Sequence, residues 1–102
     1  MARFNKIKNQ NGKVFLITGA NSGLGYETSK SLLEVGATVI MCCRDLLKGE
    51  KAKQELLKLS YSGNIELVEL DLSDLKNVDR IAEFIKSKFN HLDVLINNAG
   101  IM

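Results

Sequence analysis

Apolar residues along the chain form short runs that alternate with longer stretches of helical periodicity. Two uninterrupted runs, at residues 13–18 and 38–43, are typical of strands buried on both faces of a parallel sheet. A third run, at residues 65–70, alternates in part between apolar and polar positions, which favours an edge strand. A fourth apolar run, at residues 92–96, completes a set of four predicted strands.

Three helical segments separate these strands, at about residues 22–35, at about residues 45–59 and after Ser73. In the first segment the apolar face is predicted to contain Leu24, Thr28, Leu32 and Val35. In the third segment the apolar stripe is the clearest periodicity in the chain and contains Leu75, Val78, Ile81, Ala82, Ile85 and Phe89. Ser73 is the predicted N-cap of this helix, with Asp74 in its first turn.

The resulting order, β-α-β-α-β-α-β, predicts an α/β fold with a parallel sheet, because helical crossovers join parallel strands right-handedly. The expected strand order is 3-2-1-4, half of a doubly wound sheet. Ligands of such sheets bind where the strand order reverses, here between strands 1 and 4. We expect residues 1–12 to be a polar lead-in and residues 13–102 to form one domain.

Composition narrows the possible functions of this domain. The 102 residues are 45% hydrophobic and 25% charged, which is typical of a soluble globular protein. A net charge of +2 is too small to argue for nucleic acid or a membrane surface as partner, and no apolar stretch approaches the length of a spanning helix. With Cys42, Cys43 and one histidine there is no metal-ligand set. Reduced thiols favour a cytoplasmic location.

The most informative motif is TGANSGLG at residues 18–25, which follows the first strand and opens the first helix. In this setting, backbone N–H groups and a helix N-terminus hold phosphate groups. Gly19 permits the tight turn, Gly23 leaves the backbone open to a pyrophosphate, and Gly25 allows the helix to approach the strand. The alternative is that the three glycines merely build a flexible turn.

The second strand ends in Cys43, and Arg44 follows directly. A carboxylate at this place would accept a hydrogen bond from a ribose 2′-hydroxyl and select NAD, whereas a guanidinium can grip a 2′-phosphate. The sequence therefore predicts NADP rather than NAD. Alternatively, Arg44 is a surface residue at a helix start. Asp45 could be the acid that selects NAD, but we expect it to be an N-cap. Lys48 either adds positive potential or lies on a solvated face.

Four separated segments agree with one known family: residues 18–25, Arg44, Asp71 after the third strand, and the sequence NNAG at residues 97–100. Together they resemble the short-chain dehydrogenase/reductase family, and the resemblance covers about residues 13–100. The stretch IMCCRD at residues 40–45 is similar to the retinol dehydrogenase and protochlorophyllide reductase branches. The resemblance implies a Rossmann-type fold, incomplete here relative to the family.

The resemblance also implies which residues contact the dinucleotide: Gly19, Ser22, Gly23, Leu24, Gly25, Arg44, Asp71, Leu72, Asn98, Ala99 and Gly100. In this family the glycine turn contacts the pyrophosphate and the adenosine ribose. Asp71 would hydrogen-bond the adenine amino group, unless it caps the third helix instead. Residues 98–100 would line the path from adenosine to nicotinamide, and Asn97 would mainly tie the central sheet together.

Family catalysis uses a serine and a Tyr-x-x-x-Lys pair that follow the NNAG motif, and the chain ends at Met102. Tyr26 and Lys30 have this spacing, but they lie in the first helix, far from the nicotinamide end, and we do not assign them as catalytic. We expect the catalytic residues beyond Met102, so that the chain alone is inactive. We also expect the fourth strand to expose an apolar edge.

The sequence is therefore interpreted as the cofactor-binding part of an NADP-dependent oxidoreductase, which transfers hydride between NADP(H) and a carbonyl or alcohol. The oligomeric state of the full-length protein, a homo-oligomer included, stays open, because the family interface also uses later helices. Two alternatives stay open. The chain could be a stand-alone, non-catalytic nucleotide-binding module, or a remnant that serves as an interaction surface.

Overall fold

The computed structural model describes residues 12–21, 23–59, 61–71, 73–89 and 91–98. Strands and helices alternate in the predicted order: β1 (Val14–Thr18), α1 (Gly23–Glu34), β2 (Thr38–Cys43), α2 (Leu46–Leu57), β3 (Asn64–Glu69), α3 (Leu75–Phe89) and β4 (Val94–Asn97). In the described part of the chain, no helix combines the length and the apolar character that crossing a membrane requires.

The four strands form one parallel sheet in the order β3-β2-β1-β4, which confirms the predicted topology. The register pairs Thr18 of β1 with Cys42 on one side and with Asn97 on the other. On the far side of β2, Cys43 pairs with Glu69. The carboxyl ends of all four strands therefore lie along one edge of the sheet.

The hydrophobic core has two parts, because alternate residues of β1 and β2 point to opposite faces of the sheet. The face covered by α1 and α2 buries a larger set: Phe15, Ile17, Ala20, Leu32, Leu33, Ala37, Val39, Met41, Cys43, Ala52 and Leu56. The opposite face, covered by α3, buries a smaller set: Val14, Leu16, Ile40, Cys42, Leu70 and Ile85.

The buried face of α1 differs from the prediction. Leu24 was expected in the apolar stripe, but its side chain is 53% exposed. The buried residues of the helix are Gly25, Ser29, Leu32 and Leu33. Gly25 must lie against the turn that precedes the helix, and this contact rotates Leu24 outward. Ser29 is tolerated in the core because its hydroxyl donates to the carbonyl oxygen of Gly25 at 2.8 Å.

The start of α3 also differs, and the prediction of Ser73 as N-cap is wrong. The helix begins at Leu75, and the side chain of Asp74 accepts the backbone N–H of Lys76 at 3.0 Å. Ser73 instead donates its hydroxyl and its backbone N–H to Oδ1 of Asp71, at 2.6 and 3.0 Å. An N-cap side chain acts as an acceptor, and Asp74, one residue nearer the helix, supplies that acceptor instead of Ser73.

The strand β4 lies at one edge of the sheet and begins at Val94, two residues later than predicted. Just before the strand, the carboxylate of Asp93 accepts the N–H of Val14 through Oδ2 at 2.7 Å, and the N–H of Asp93 donates to the Val14 carbonyl oxygen at 2.9 Å. The predicted apolar edge is confirmed among the described residues, since Leu95 is 60% exposed. An apolar hollow of about 230 Å³ lies beside it, lined by side chains that include Leu16 and Ile85.

Candidate functional site

The predicted site lies at the carboxyl end of the sheet, where a glycine turn connects β1 to α1. Gly19 and Gly23 have φ of +61° and +58°, a backbone region that side chains other than glycine rarely adopt. A Cβ added to Gly23 would meet no described atom within 4 Å. The N-terminal amides of α1 follow this open position. The turn therefore provides the open backbone and the helix terminus that anion binding requires.

At Gly25, the backbone of α1 comes into close contact with the glycine turn. A Cβ at this position would collide with the carbonyl oxygen of Gly19 and would lie 2.9 Å from Nδ2 of Asn98. The same Nδ2 donates a hydrogen bond to the Gly19 oxygen at 3.3 Å. One residue before Gly19, the hydroxyl of Thr18 donates to Oδ1 of Asn97 at 3.0 Å. This hydrogen bond joins β1 to β4, which is the structural role predicted for Asn97. These contacts hold the turn against both β4 and α1.

A second part of the site follows β2, where Arg44 is exposed beside the glycine turn. The two segments share an open hollow of about 630 Å³, lined by Asn21, Arg44, Asp45, Leu46, Leu47, Lys48 and Glu69. Asn21 belongs to the glycine turn, so the hollow connects the turn directly to the end of β2. The structure thus brings Arg44 and the turn together, as the strand order predicts.

Asp45 is the N-cap of α2, which confirms its predicted role. Its Oδ1 accepts the backbone N–H groups of Leu47 and Lys48 at 2.9 and 3.3 Å. This carboxylate is therefore already engaged by the helix terminus. Lys48 and Glu69 also line the hollow. Its charges are mixed, with two cations and two anions among the lining residues.

Asp71 lies after β3 and is not among the residues that line this hollow. The pKa of its carboxyl is lowered, chiefly by the hydrogen bonds from Ser73 and in smaller part by the positive charge of Arg44. Asp71 therefore stays ionised and lies within electrostatic reach of Arg44. Its two contacts with Ser73 form a local turn, and they leave its Oδ2 without a hydrogen bond to any described residue.

The two thiols at the end of β2 are buried on opposite faces of the sheet. Burial raises the pKa of Cys42 to about 12, with a smaller contribution from Cys43. Burial also raises the pKa of Cys43, although the backbone N–H groups of Ala20 and Asn21 oppose this by donating to its sulfur. Both thiols are therefore neutral at physiological pH, and Cys43 belongs to the same core cluster as Ala20 of the glycine turn.

Tyr26 lies in α1 and packs, partly buried, against the larger core cluster. Desolvation raises the pKa of its phenol, and the negative charge of Glu55 raises it further. Among the described residues, no group of His, Cys, Asp or Glu side chains could hold a metal ion.

Seven of the predicted contact residues can be placed: Gly19, Gly23, Leu24, Gly25, Arg44, Asp71 and Asn98. The other four lie outside the described residues: Ser22, Leu72, Ala99 and Gly100. Sequence reasoning did not single out Asn21 or Glu69, which also line the hollow. Both residues could have been identified from the sequence. Asn21 lies inside the glycine motif, and the predicted strand order places Glu69, at the end of β3, beside the end of β2.

Comparison with known proteins agrees with this geometry. The family model for short chain dehydrogenases matches residues 13–102. Retinol dehydrogenase 12 of Bos taurus is 45% identical over 91 residues, which cover 89% of this chain and 29% of that protein. The chain thus spans less than a third of the length of this curated relative.

Two solved structures illustrate the likeness in three dimensions. Menthone neomenthol reductase from Mentha piperita has a TM-score of 0.79 and 37% identity, covering 84% of this chain and 31% of that one. L-sorbose reductase from Gluconobacter frateurii, solved with NADPH and L-sorbose, has a TM-score of 0.78 and 29% identity, covering 88% of this chain and 34% of that one. With the parallel sheet, the glycine turn and this family match together, the chain belongs to the short-chain dehydrogenases, oxidoreductases with a Rossmann fold.

Proposed function

We propose that this chain binds NADP(H) and provides the cofactor-binding part of an oxidoreductase that acts on a carbonyl or alcohol substrate. The observation that carries the proposal is the shared hollow that connects Arg44 to Asn21 of the glycine turn. A dinucleotide whose pyrophosphate lies on the turn would bring its adenosine ribose to this hollow. Arg44 is then the cation within reach of a 2′-phosphate.

The two cations of the hollow, Arg44 and Lys48, favour a phosphate over a bare ribose hydroxyl. Asp45 is held at the start of α2 through Oδ1, which engages one of the two oxygens that could accept from a 2′-hydroxyl. Lys48 lines the same hollow and adds a second positive charge. Glu69 opposes them, and Asp71 lowers the field of Arg44 from outside the hollow. We expect Arg44 to turn from these carboxylates toward the phosphate when the dinucleotide binds.

The residues present fit a nicotinamide dinucleotide. The glycine turn leaves backbone open on the side of Gly23, and α1 directs its positive terminus to the same place. Asn98 follows β4 on the other side of the turn, and its amide already bonds the Gly19 carbonyl. The cofactor supplies the hydride, and these residues bind and orient it.

The substrate class is inferred from the relatives. One is named a retinol dehydrogenase and another a menthone neomenthol reductase, so both names refer to alcohol or carbonyl compounds. We therefore propose reversible hydride transfer between NADP(H) and a carbonyl–alcohol pair. The proposal rests on the hollow for the cofactor and on the relatives for the reaction.

The test is a titration of NADPH and NADH against the wild-type protein and three variants: Arg44→Met, Lys48→Met and Lys51→Met. Charge-assisted hydrogen bonds contribute about 1.5–3 kcal/mol, so Arg44→Met should weaken NADPH binding about 10- to 100-fold. NADH binding should change less than about twofold, because NADH has no 2′-phosphate to lose a partner. Lys48→Met should have a smaller effect in the same direction.

Lys51→Met is the matched control, because Lys51 is an exposed lysine of α2 that does not line the hollow. It removes the same charge and should leave both affinities unchanged. Equal binding of NADPH and NADH by the wild type would refute the proposed cofactor preference. An Arg44→Met variant with unaltered selectivity would refute the role of Arg44.

A further inference from the structure

The end of β3 lies beside the end of β2 and brings a carboxylate to the hollow that Arg44 lines. In the sheet register, Glu69 is the last residue of β3 and pairs with Cys43, the residue before Arg44. The backbone N–H of Leu70 donates to the carbonyl oxygen of Cys43 at 3.1 Å and joins the two strand ends. Glu69 and Arg44 are both exposed, and both line the hollow. The sheet therefore holds an anion and a cation on neighbouring strands beside one open space.

Alternation along β3 places Glu69 on the face of the sheet that α2 covers. Ile65 and Leu67, four and two residues earlier, pack against the larger core cluster on that face. A Cβ added to Gly49 of α2 would lie 2.8 Å from Cδ1 of Leu67, so the helix lies directly over this part of the strand. Because strand residues two apart share a face, Glu69 belongs to the same side, where the first turn of α2 lines the hollow.

Glu69 differs from the two other carboxylates near Arg44. Oδ1 of Asp45 accepts backbone N–H groups at the start of α2. Oδ1 of Asp71 accepts two hydrogen bonds from Ser73, and Asp71 does not line the hollow. Glu69 forms no hydrogen bond or ion pair with another described residue. Its negative charge is therefore offset by no such partner, and it acts on any ligand that enters the hollow.

We propose that Glu69 is a specificity-determining residue that limits the preference of this site for NADPH over NADH. Its charge repels the 2′-phosphate that Arg44 and Lys48 attract, whereas the 2′-hydroxyl of NADH carries no charge to repel. The inference rests on the proposed function and adds to it a determinant at the end of β3. Cofactor preference then depends on two strand ends, and removal of the carboxylate strengthens the preference for NADPH.

The test is a titration of NADPH and NADH against the wild-type protein, Glu69→Gln, Glu69→Asp and Glu34→Gln. Exposed charges interact weakly, so Glu69→Gln should strengthen NADPH binding by about 2- to 5-fold at low salt. NADH binding should change less than about twofold. The gain for NADPH should fall below about 1.5-fold in 1 M NaCl, where the screening length is about 3 Å. Glu69→Asp keeps the charge and should keep the wild-type ratio of the two affinities within about twofold.

Glu34→Gln is the matched control, because Glu34 is an exposed residue at the end of α1 that does not line the hollow. It removes the same charge and should leave both affinities unchanged. An unchanged ratio of affinities in Glu69→Gln would overturn the inference. Equal strengthening of NADPH and NADH would also overturn it, because the effect would then act on the pyrophosphate that both share. Either result leaves the proposed function standing, whereas the absence of dinucleotide binding in the wild type and in Glu69→Gln would refute both.

Discussion

Gly25→Ala tests the close packing on which the candidate site depends. The substitution adds one carbon atom where α1 meets the glycine turn. That carbon would collide with the carbonyl oxygen of Gly19 and would lie 3.0 Å from the carbonyl carbon of the same residue. Both atoms belong to the backbone, so no side-chain rotation can remove the collision. Either the turn or the helix must move.

The expected cost follows from opposing contributions. Overpacking a well-packed site typically costs about 1–3 kcal/mol. Displacing the Gly19 carbonyl would also break the 3.3 Å hydrogen bond from Asn98, a further loss of about 0.5–1.5 kcal/mol. Against this, replacing glycine by alanine in a helix gains up to about 1 kcal/mol. We therefore expect Gly25→Ala to lower the free energy of unfolding by about 1–3 kcal/mol.

The assay is urea unfolding, with Gly49→Ala as the matched comparator. Gly49 is also a buried helical glycine, but a Cβ there would first meet Cδ1 of Leu67, at 2.8 Å. That atom is the end of a flexible, half-buried side chain, which can rotate away. The helix-propensity gain then offsets the remaining contact with Cys43, and we expect a change within about 1 kcal/mol.

Two outcomes of this comparison would contradict the reasoning. If Gly25→Ala were as stable as the wild type, the backbone contact between α1 and Gly19 would not have the closeness described here. If Gly49→Ala were destabilised as much as Gly25→Ala, backbone collision would not be the deciding factor. A change in the slope of the unfolding transition would point instead to an altered denatured state.

Two further predictions concern titration and reactivity. Burial raises the pKa of Cys42 to about 12 and also raises the pKa of Cys43. Neither thiol should therefore react with Ellman's reagent at pH 8 in the folded protein, and both should react in denaturant. Rapid reaction in the native state would contradict their burial. Hydrogen bonds from Ser73, aided by the charge of Arg44, lower the pKa of Asp71, so its contribution to stability is present above the unfolded value of 3.8 and is lost as pH falls through the folded value. Ser73→Ala should move the Asp71 titration, measured by carboxyl NMR shifts, upward toward 3.8; an unchanged curve would show that Ser73 is not the cause.

Much of the fold follows from sequence because the pattern is strong. The uninterrupted apolar runs of β1 and β2 can be buried on both faces only in a covered parallel sheet, and the intervening helices determine the connections. The N-cap role of Asp45 was also predictable, because it stands directly before a helical segment. The proximity of Arg44 to the glycine turn then follows from strand order alone.

The failures arise from tertiary contacts that periodicity does not encode. Leu24 fits an apolar stripe, but the close contact at Gly25 sets the rotation of α1 and turns Leu24 outward. Ser73 is a good N-cap residue by type, but the helix begins at Leu75, and the side chain of Asp74 accepts the first-turn N–H instead.

The two core clusters differ in size, and this difference has a consequence for the order in which the helices detach from the sheet. Among the described side chains of α3, Ile85 alone is buried, whereas α1 and α2 each bury several residues on the other face of the sheet. Thermal fluctuation should therefore detach α3 before it disturbs α1 and α2. The glycine turn and Arg44 both lie next to the larger core cluster, so the proposed cofactor site would persist after α3 has detached from the opposite face.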